Sequence, residues 1–451
     1  GDSPYQSFST YAGNPYFISL EDLIEEGVLT EKECEKLETE SKEGTIDYKK
    51  LYEDRYPILR KAYERSNISE NPDYQQFLAE NEWWLSDYAL FMAVKDRFEG
   101  RPWTEWAEDI RLRYGYAMDY YRRELYFDIE FQKYLQFTFY KQWNKLKAYV
   151  NSLGIRMIGD IPIYVAMDSA DAWANPSLFQ LDEKNVPYAV AGCPPDGFSA
   201  TGQLWGNPLY RWEYHRQTGY EWWLKRLSHC FKLYDAVRID HFRGFDQYYS
   251  IPYGAEDATR GHWEQGPGID LFNRVRQVLG EKEVIAEDLG YVTDSVRKLV
   301  YDSGFPGMKV LEFAFDDSEN SDYLPHKYQE NCIVYTGTHD NETLVGWYEN
   351  MNRRNKSFAR EYMGCRHTPK KEMHWEFIRL AMASPAKLAV IPVQDYLGLG
   401  AEARINEPST LGKNWKWRLL PGEITGDVLK QCRRMAKLYG RLPETVSDIN
   451  M

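Results

Sequence analysis

The segment Tyr-Asp-Ala-Val-Arg-Ile-Asp-His-Phe-Arg-Gly-Phe, residues 234–245, decides how the rest of the sequence is interpreted. Ala236, Val237 and Ile239 form a short apolar run, and its β-branched residues are typical of a buried strand. Arg238 and Asp240 interrupt this run at a spacing of two, which places both side chains on the same face of a strand. Because a buried ion is costly unless it is paired or used, the pattern indicates either a structural ion pair or a catalytic carboxylate oriented by a guanidinium.

Short apolar runs alternate with helical patterns from residue 155 onward. The predicted strands are 155–159, 236–239, 284–286, 308–313, 333–336 and 388–393, and the predicted helices are 269–279, 294–302, 342–349 and 371–382. This alternation favours a parallel sheet with helices outside it. The carboxyl ends of the predicted strands carry Asp160, Asp240, Glu287, His339 and Asp340. Because the loops of an α/β barrel meet at that end, the sequence predicts one active-site mouth built from these residues.

The first 154 residues have a different pattern. Residues 1–17 contain the turn signals of a loop, and 18–154 are predicted to be a mainly helical inserted subdomain. Its last helix is expected at about 125–153, because apolar residues recur there at helical spacing and Gly154 stands where a helix commonly ends. Residues 155–451 would then hold the barrel strands, with an insertion at 166–232 that covers the cleft.

Composition narrows the classes of function. The 451 residues include 55 Lys and Arg against 69 Asp and Glu, a net charge of −14, and no long basic block, which argues against a nucleic-acid or anionic membrane surface. No apolar run reaches the ~18 residues that a membrane span needs. The 6 cysteines include no Cys-x-x-Cys pair, which argues against a disulfide framework and fits a reducing compartment.

Three carboxylates at one rim fit two kinds of enzyme. One is glycosidic-bond chemistry, in which one carboxylate attacks the anomeric carbon and another protonates the leaving oxygen. The other is a metal-dependent barrel hydrolase with Asp, Glu and His ligands. The sequence has 8 His, without His-x-His or His-Glu-x-x-His, so the first class is favoured and no metal is expected. A glucan-binding protein with a decayed site is disfavoured because the set of carboxylates is complete.

Several segments of the sequence are similar to the motifs of a known family. The chain resembles the amylomaltases, which are the 4-α-glucanotransferases or disproportionating enzymes of glycoside hydrolase family 77 in the α-amylase clan. The segments that carry the resemblance are 235–242 (DAVRIDHF), 285–290 (IAEDLG), 336–341 (TGTHDN), 159–165 (GDIPIYV), 3–7 (SPYQS), 192–196 (GCPPD) and 202–208 (GQLWGNP).

The resemblance implies roles for the residues at the predicted mouth. Asp240 would be the nucleophile that forms a β-glucosyl ester, and Glu287 would be the general acid and base. Asp340, together with His339, would hydrogen-bond the sugar that is cleaved.

Four further residues would support them. Arg238 would keep Asp240 ionised, Asp160 would bind the same sugar, Tyr5 would contact that sugar at its edge or face, and Trp205 would cover the acceptor side of the cleft.

The family further implies a retaining transfer between maltodextrins or other α-1,4-glucans, without a cofactor. An α-1,4-glucan hydrolase of the same clan stays open as the alternative, because both reactions share the first half. The implied fold is a (β/α)8 barrel with large, mainly helical insertions, in which the segment around Tyr5 follows the second strand. Only six candidate strands are found, so the first two are expected before Gly1. The expected compartment is the cytoplasm, or the stroma of a plastid.

Overall fold

The six segments predicted as strands form two parallel sheets. The computed structural model describes residues 2–40, 44–196, 199–290, 292–316 and 320–443. It divides into two compact units. The first comprises Gly1–Ser41, Tyr48–Glu287 and Val292–Gly304, and the second comprises Lys42–Asp47, Asp288–Tyr291 and Phe305–Met451.

The first unit contains one parallel and one antiparallel sheet. Its strands are β1 (Ile158–Pro162), β2 (Ala189–Cys193), β3 (Gln203–Pro208), β4 (Ala236–Asp240), β5 (Gln247–Pro252), β6 (His262–Gln265) and β7 (Val284–Ala286). The parallel sheet has the order β1-β4-β7, and the antiparallel sheet has the order β3-β2-β5-β6. Strands β4 and β7 are almost entirely buried, as expected for strands with both faces covered, whereas β1 alternates exposed and buried residues.

Helices surround these sheets. In the first unit they are α1 (Leu20–Glu25), α2 (Glu31–Glu40), α3 (Tyr48–Arg65), α4 (Pro72–Arg97), α5 (Glu108–Arg111), α6 (Gly115–Glu124), α7 (Tyr126–Ser152), α8 (Ala170–Ala174), α9 (Trp212–Gln217), α10 (Glu221–Leu233), α11 (Ile269–Leu279) and α12 (Asp294–Ser303). Helices α1–α3 and α7 share an apolar core that includes Leu23, Leu59 and Leu135, all three with no exposed surface. That core forms because each helix presents an apolar stripe to its neighbours.

The second unit contains the other parallel sheet. Its strands are β8 (Gly307–Val310), β9 (Cys332–Tyr335) and β10 (Leu388–Val390), in the order β10-β9-β8. Its helices are α13 (Leu344–Asn350), α14 (Arg353–Tyr362), α15 (Met373–Ala383), α16 (Val393–Leu397) and α17 (Gly426–Leu438).

The predicted strands exist, but the bounds of three of them were wrong. The strand predicted at 155–159 is β1, Ile158–Pro162, because Ile155 is 54% exposed and the chain turns at Gly154 with φ of +75°. Asp160 therefore lies inside a strand rather than after one. The segments predicted at 308–313 and 388–393 end as strands at Val310 and Val390.

The antiparallel sheet is absent from the prediction. Residues 166–232 were expected as an insertion without strands, yet β2 and β3 form there and pair with each other. Prolines 194 and 195 and the glycines at 202 and 206 signal a loop, and they stand at the ends and irregular points of these short strands. By contrast, the helix predicted at 125–153 is confirmed as α7, Tyr126–Ser152.

Among the described residues, no helix combines the length and apolar composition that crossing a membrane requires. The domain boundaries at 17 and 154 and the closure of an eight-stranded barrel stay predictions.

Candidate active site

Arg238 lies at the centre of a charged group in the parallel sheet of the first unit. The register of β1 and β4 pairs it with Asp160. Its Nη1 donates to both carboxylate oxygens of Asp160 at 2.8 and 2.7 Å, and its Nη2 donates to Oδ1 of Asp240 at 3.0 Å. The predicted shared face of Arg238 and Asp240 is confirmed. The Arg238 side chain is only 8% exposed, whereas Asp160 and Asp240 keep 32% and 31% of their side-chain surface.

Burial and charge act in opposite directions on this guanidinium. Burial lowers the pKa of Arg238, but the carboxylates of Asp160, Asp240 and Glu287 raise it well above the usual value. Arg238 therefore stays charged at all accessible pH values. A fixed cation at hydrogen-bonding distance favours the ionised form of the Asp240 carboxyl.

Tyr5 reaches the same group from the amino-terminal segment. Its hydroxyl donates to Oδ2 of Asp160 at 2.6 Å. Burial, and then the charges of Asp160 and Asp240, raise the pKa of Tyr5, so the hydroxyl keeps its proton. The segment is anchored by the buried Asp171 of α8, which accepts from the N–H and the hydroxyl of Thr10 at 2.7 and 3.0 Å.

Glu287 follows β7 directly and is held by the neighbouring strand. Its N–H donates to the carbonyl of Ile239 at 3.1 Å, and its carbonyl accepts from the N–H of Phe242 at 3.0 Å. Its Oε2 accepts from the N–H of His241 at 2.7 Å. Since neighbouring strands lie about 4.8 Å apart, this bonding sets Glu287 beside Asp240.

Trp205 stands on β3 and contacts His241. The two rings meet edge to face, with centroids 4.9 Å apart and an interplanar angle of 89°, and the indole N–H donates to Oε1 of Gln203 at 3.0 Å. Burial, and then the charge of Arg243, lower the pKa of His241 to about 3, so this imidazole is neutral.

His339 and Asp340 lie in the second unit, on the loop that follows β9. Asp340 Oδ1 accepts from Nδ2 of Asn406 at 2.6 Å, and its carbonyl accepts from Nη2 of Arg404 at 2.8 Å. His339 Nε2 lies 3.5 Å from Oδ2 of Asp340, and its ring centroid lies 5.3 Å from that of Trp415.

Sequence reasoning missed three of the residues that hold these side chains. Arg404 and Asn406 are 64 and 66 residues from Asp340, in a loop without regular structure, and no spacing rule connects them. His241 follows Asp240 directly, and its role lies in its backbone, which the sequence does not display.

Known proteins are similar to this chain over most of its length. A sequence profile of glycoside hydrolase family 77, described as 4-alpha-glucanotransferase, matches residues 1–423. The chain is 44% identical over 443 residues to a 4-alpha-glucanotransferase from Clostridium butyricum, covering 98% of this chain and 91% of the relative. It is 45% identical over 452 residues to one from Thermus thermophilus, covering 98% and 89%.

A solved structure is similar over nearly the whole chain. The amylomaltase from Streptococcus agalactiae in complex with acarbose matches with a TM-score of 0.93 and 39% identity, covering 98% of this chain and 90% of the other. The fold is therefore the α/β fold of the amylomaltases. The chain belongs to the 4-α-glucanotransferases of glycoside hydrolase family 77.

Proposed function

We propose that the enzyme cleaves an α-1,4-glucosidic bond by double displacement and passes the donor to the 4-hydroxyl of a second glucan. The observation that carries this proposal is the adjacency of Asp240 and Glu287 at the carboxyl ends of neighbouring strands. Retaining enzymes hold their two carboxyl groups ~5–5.5 Å apart, which leaves no room for a water molecule between them. Residues side by side on strands about 4.8 Å apart suit that separation.

In the first half-reaction Asp240 attacks the anomeric carbon of the donor. The bond from that carbon to the leaving oxygen breaks, and Glu287 gives its proton to this oxygen. The donor is then an ester of Asp240. The ion pair with Arg238 at 3.0 Å supports this role, because it keeps the Asp240 carboxylate charged and oriented for attack.

In the second half-reaction the ionised Glu287 takes the proton of the acceptor 4-hydroxyl. The acceptor oxygen bonds to the anomeric carbon, and the ester bond to Asp240 breaks. Two inversions retain the α configuration, and both carboxyl groups return to their starting protonation.

The remaining predicted residues bind sugar. Asp160 and Tyr5 share a short hydrogen bond beside the nucleophile and contact the sugar that is cleaved. Asp340 accepts hydrogen bonds from the hydroxyl groups of that sugar, with His339 beside it. Trp205 offers an indole face of partial exposure on the acceptor side.

The substrates on both sides are α-1,4-glucans of the maltodextrin type. The solved amylomaltase from Streptococcus agalactiae is a complex with acarbose, and the similarity of this chain to it supports a glucan as substrate. An α-1,4-glucan hydrolase would differ only in admitting water to the ester.

One experiment separates transfer from hydrolysis. The enzyme is incubated with maltotriose, the products are separated by chromatography, and reducing ends are counted over time. Transfer yields glucose and longer maltodextrins at a constant number of reducing ends. A steady rise in reducing ends from the outset would make the enzyme a hydrolase.

A second experiment tests the ester itself. Glu287→Gln is mixed with α-maltotriosyl fluoride, whose leaving group needs little help from an acid. We expect the intact mass to increase by one maltotriosyl group and peptide mapping to assign it to Asp240. An adduct on another residue would overturn the assignment of Asp240 as the nucleophile.

We also propose that the parallel strands belong to a (β/α)8 barrel. Residues 1–17 would be a loop after its second strand, 18–154 an insertion on its surface, and 166–232 a cover of the cleft. The compartment, cytoplasm or plastid stroma, stays a prediction.

A further inference from the structure

His241 follows Asp240 in the chain, and its N–H is hydrogen-bonded to Glu287. Its backbone adopts the left-handed conformation. Its φ and ψ are +53° and +46°. Residues other than glycine adopt this region rarely, and β-branched residues adopt it least. A single strained residue persists only where its surroundings fix it, and such residues cluster at functional sites.

This conformation aims two successive N–H groups at one residue. The chain leaves β4 at Asp240 and turns at His241 into the short 3₁₀ helix Phe242–Phe245. The N–H of His241 donates to Oε2 of Glu287 at 2.7 Å, and the N–H of Phe242 donates to its carbonyl at 3.0 Å. An extended residue at 241 would point the two N–H groups in opposite directions, because neighbouring peptide groups alternate in direction along a strand.

The imidazole is held by packing. Its ring lies edge to face with Trp205 at 4.9 Å, and a Cβ placed on Gly244 would lie 3.2 Å from its Cδ2. Its Nε2 is buried without a hydrogen-bond partner among the described residues. Packing therefore fixes the orientation of the ring.

We propose that His241 is a positioning residue for Glu287: its left-handed backbone fixes one carboxyl oxygen, Oε2, so that the proton of the acid is carried on Oε1, toward the sugar. This inference rests on the proposed role of Glu287 as acid and base. It adds that the acid is oriented by the residue next to the nucleophile, through a backbone N–H.

The hydrogen bond from the His241 N–H affects the protonation of Glu287, which a purely structural role of His241 would not do. An N–H that donates to a carboxylate favours its ionised form. The groups that act on Glu287 include Arg238 of β4, which favours the ionised form, and Cys193, which opposes it if ionised. The neighbouring Asp240 carboxylate is a like charge and also opposes it. Losing the His241 bond therefore favours the protonated acid and moves the basic limb of the pH-rate profile to higher pH.

The test varies the backbone preference at position 241. His241→Val penalises the left-handed conformation, while His241→Gly and His241→Asn allow it and remove the ring. With maltotriose we expect His241→Val to lose about tenfold or more in kcat. Its basic limb should move up by about one pH unit. The Gly and Asn variants should retain at least a third of kcat, and the basic limb of their pH-rate profiles should lie at the wild-type pH.

Two comparisons make this pattern specific. Glu99 has φ of +56° on an exposed turn, so Glu99→Val carries the same backbone penalty away from the site and should leave the profile unchanged. With α-maltotriosyl fluoride, where the first step needs little acid, His241→Val should form the ester at close to the wild-type rate. If His241→Val does not fold, the milder His241→Ala should show the same shift at reduced size.

Two results would overturn the inference. One is a wild-type limb in a folded His241→Val or His241→Ala variant, and the other is an equal loss in the Val, Gly and Asn variants. Retained turnover in Glu287→Gln would instead refute the proposed acid, which is a separate failure.

Discussion

The two segments proposed to share the chemistry are held in different ways. In the first unit Arg238 and Asp240 are strand residues, and Glu287 follows a strand directly, so the register of the sheet fixes their backbones. In the second unit β9 ends at Tyr335, and Asp340 stands farther along on a loop. Asn406 and Arg404 hold that loop from 66 and 64 residues away.

This difference separates chemistry from orientation. A strand-borne carboxyl has few ways to move, so a substitution there changes the reacting group and little else. A loop-borne carboxyl depends on the side chains that clamp it, so its efficiency can be lost without touching the carboxyl itself.

The largest expected effect is at the nucleophile. Asp240→Asn removes the attacking charge but keeps the shape, and we expect turnover of maltotriose to fall on the order of ten-thousandfold. Glu287→Gln should lose a similar amount with this unactivated donor. Product formation from maltotriose measures both.

Asp288→Asn is the matched control, because Asp288 accepts from the N–H of Met308 at 2.8 Å and Asn can still accept there. It should keep turnover near the wild-type level. Wild-type turnover in Asp240→Asn would contradict the proposed mechanism.

The next effect concerns the cation between the two carboxylates. Arg238→Gln leaves Asp160 and Asp240 without a shared partner, and it favours the protonated nucleophile. We expect turnover of maltotriose to fall roughly a hundredfold and the acid limb of the pH-rate profile to move up by about 1–3 pH units.

Arg238→Lys is the matched comparison, since it keeps the charge but cannot donate in two directions from a rigid plane. Its limb should move by less than in Arg238→Gln. An unmoved acid limb in Arg238→Gln would mean that the guanidinium serves the fold and not the nucleophile.

A smaller effect is expected at the loop clamp. Asn406→Ala removes the 2.6 Å hydrogen bond to Oδ1 of Asp340. A hydrogen bond to a charged group contributes about 1.5–3 kcal/mol, so kcat/KM for maltotriose should fall roughly ten- to a hundredfold. Asn352→Ala, at the amino-terminal cap of α14, controls for general destabilisation. A loss in kcat/KM that follows lost stability in both variants would contradict the clamp.

The same difference explains what the sequence could predict. Arg238 and Asp240 were predicted on one face because a strand repeats every two residues, and a shift in its boundaries does not alter that relation. Asp160 was predicted after a strand and lies inside one, yet it still meets Arg238, because pairing between parallel strands runs over several residues. Local periodicity is therefore sufficient to predict the part of the site that Asp160, Arg238 and Asp240 form.

The clamp of Asp340 could not be predicted in this way. Arg404 and Asn406 act across a long separation from a loop, and a single sequence holds no periodic signal for such contacts. The antiparallel sheet was missed for a related reason, since its short strands at 189–193 and 203–208 are broken by the proline and glycine residues that usually mark loops.

The smallest effect on turnover is expected from substitutions in the cores of the two units. Each core contains a buried aspartate with the same pattern of hydrogen bonds. Asp171 in the first unit and Asp395 in the second are buried, and each accepts from one backbone N–H and one threonine hydroxyl. Burial raises the pKa of Asp171 and of Asp395 to about 6, although these hydrogen bonds favour the ionised form.

Stability should therefore decline with rising pH at both positions. The unfolded chain releases these protons near pH 3.9, whereas the folded protein keeps them until about pH 6. The stabilisation from each group is complete below the lower value and lost as the pH rises through the upper one, by about 2–3 kcal/mol. Asp171→Asn and Asp395→Asn carry no proton to lose, so Tm should vary less between pH 4 and pH 7 in each variant than in the wild type. Asp294→Asn, at an exposed helix start, should leave the slope unchanged. A wild-type slope in Asp395→Asn together with a flattened one in Asp171→Asn would show that only the first unit limits thermal stability.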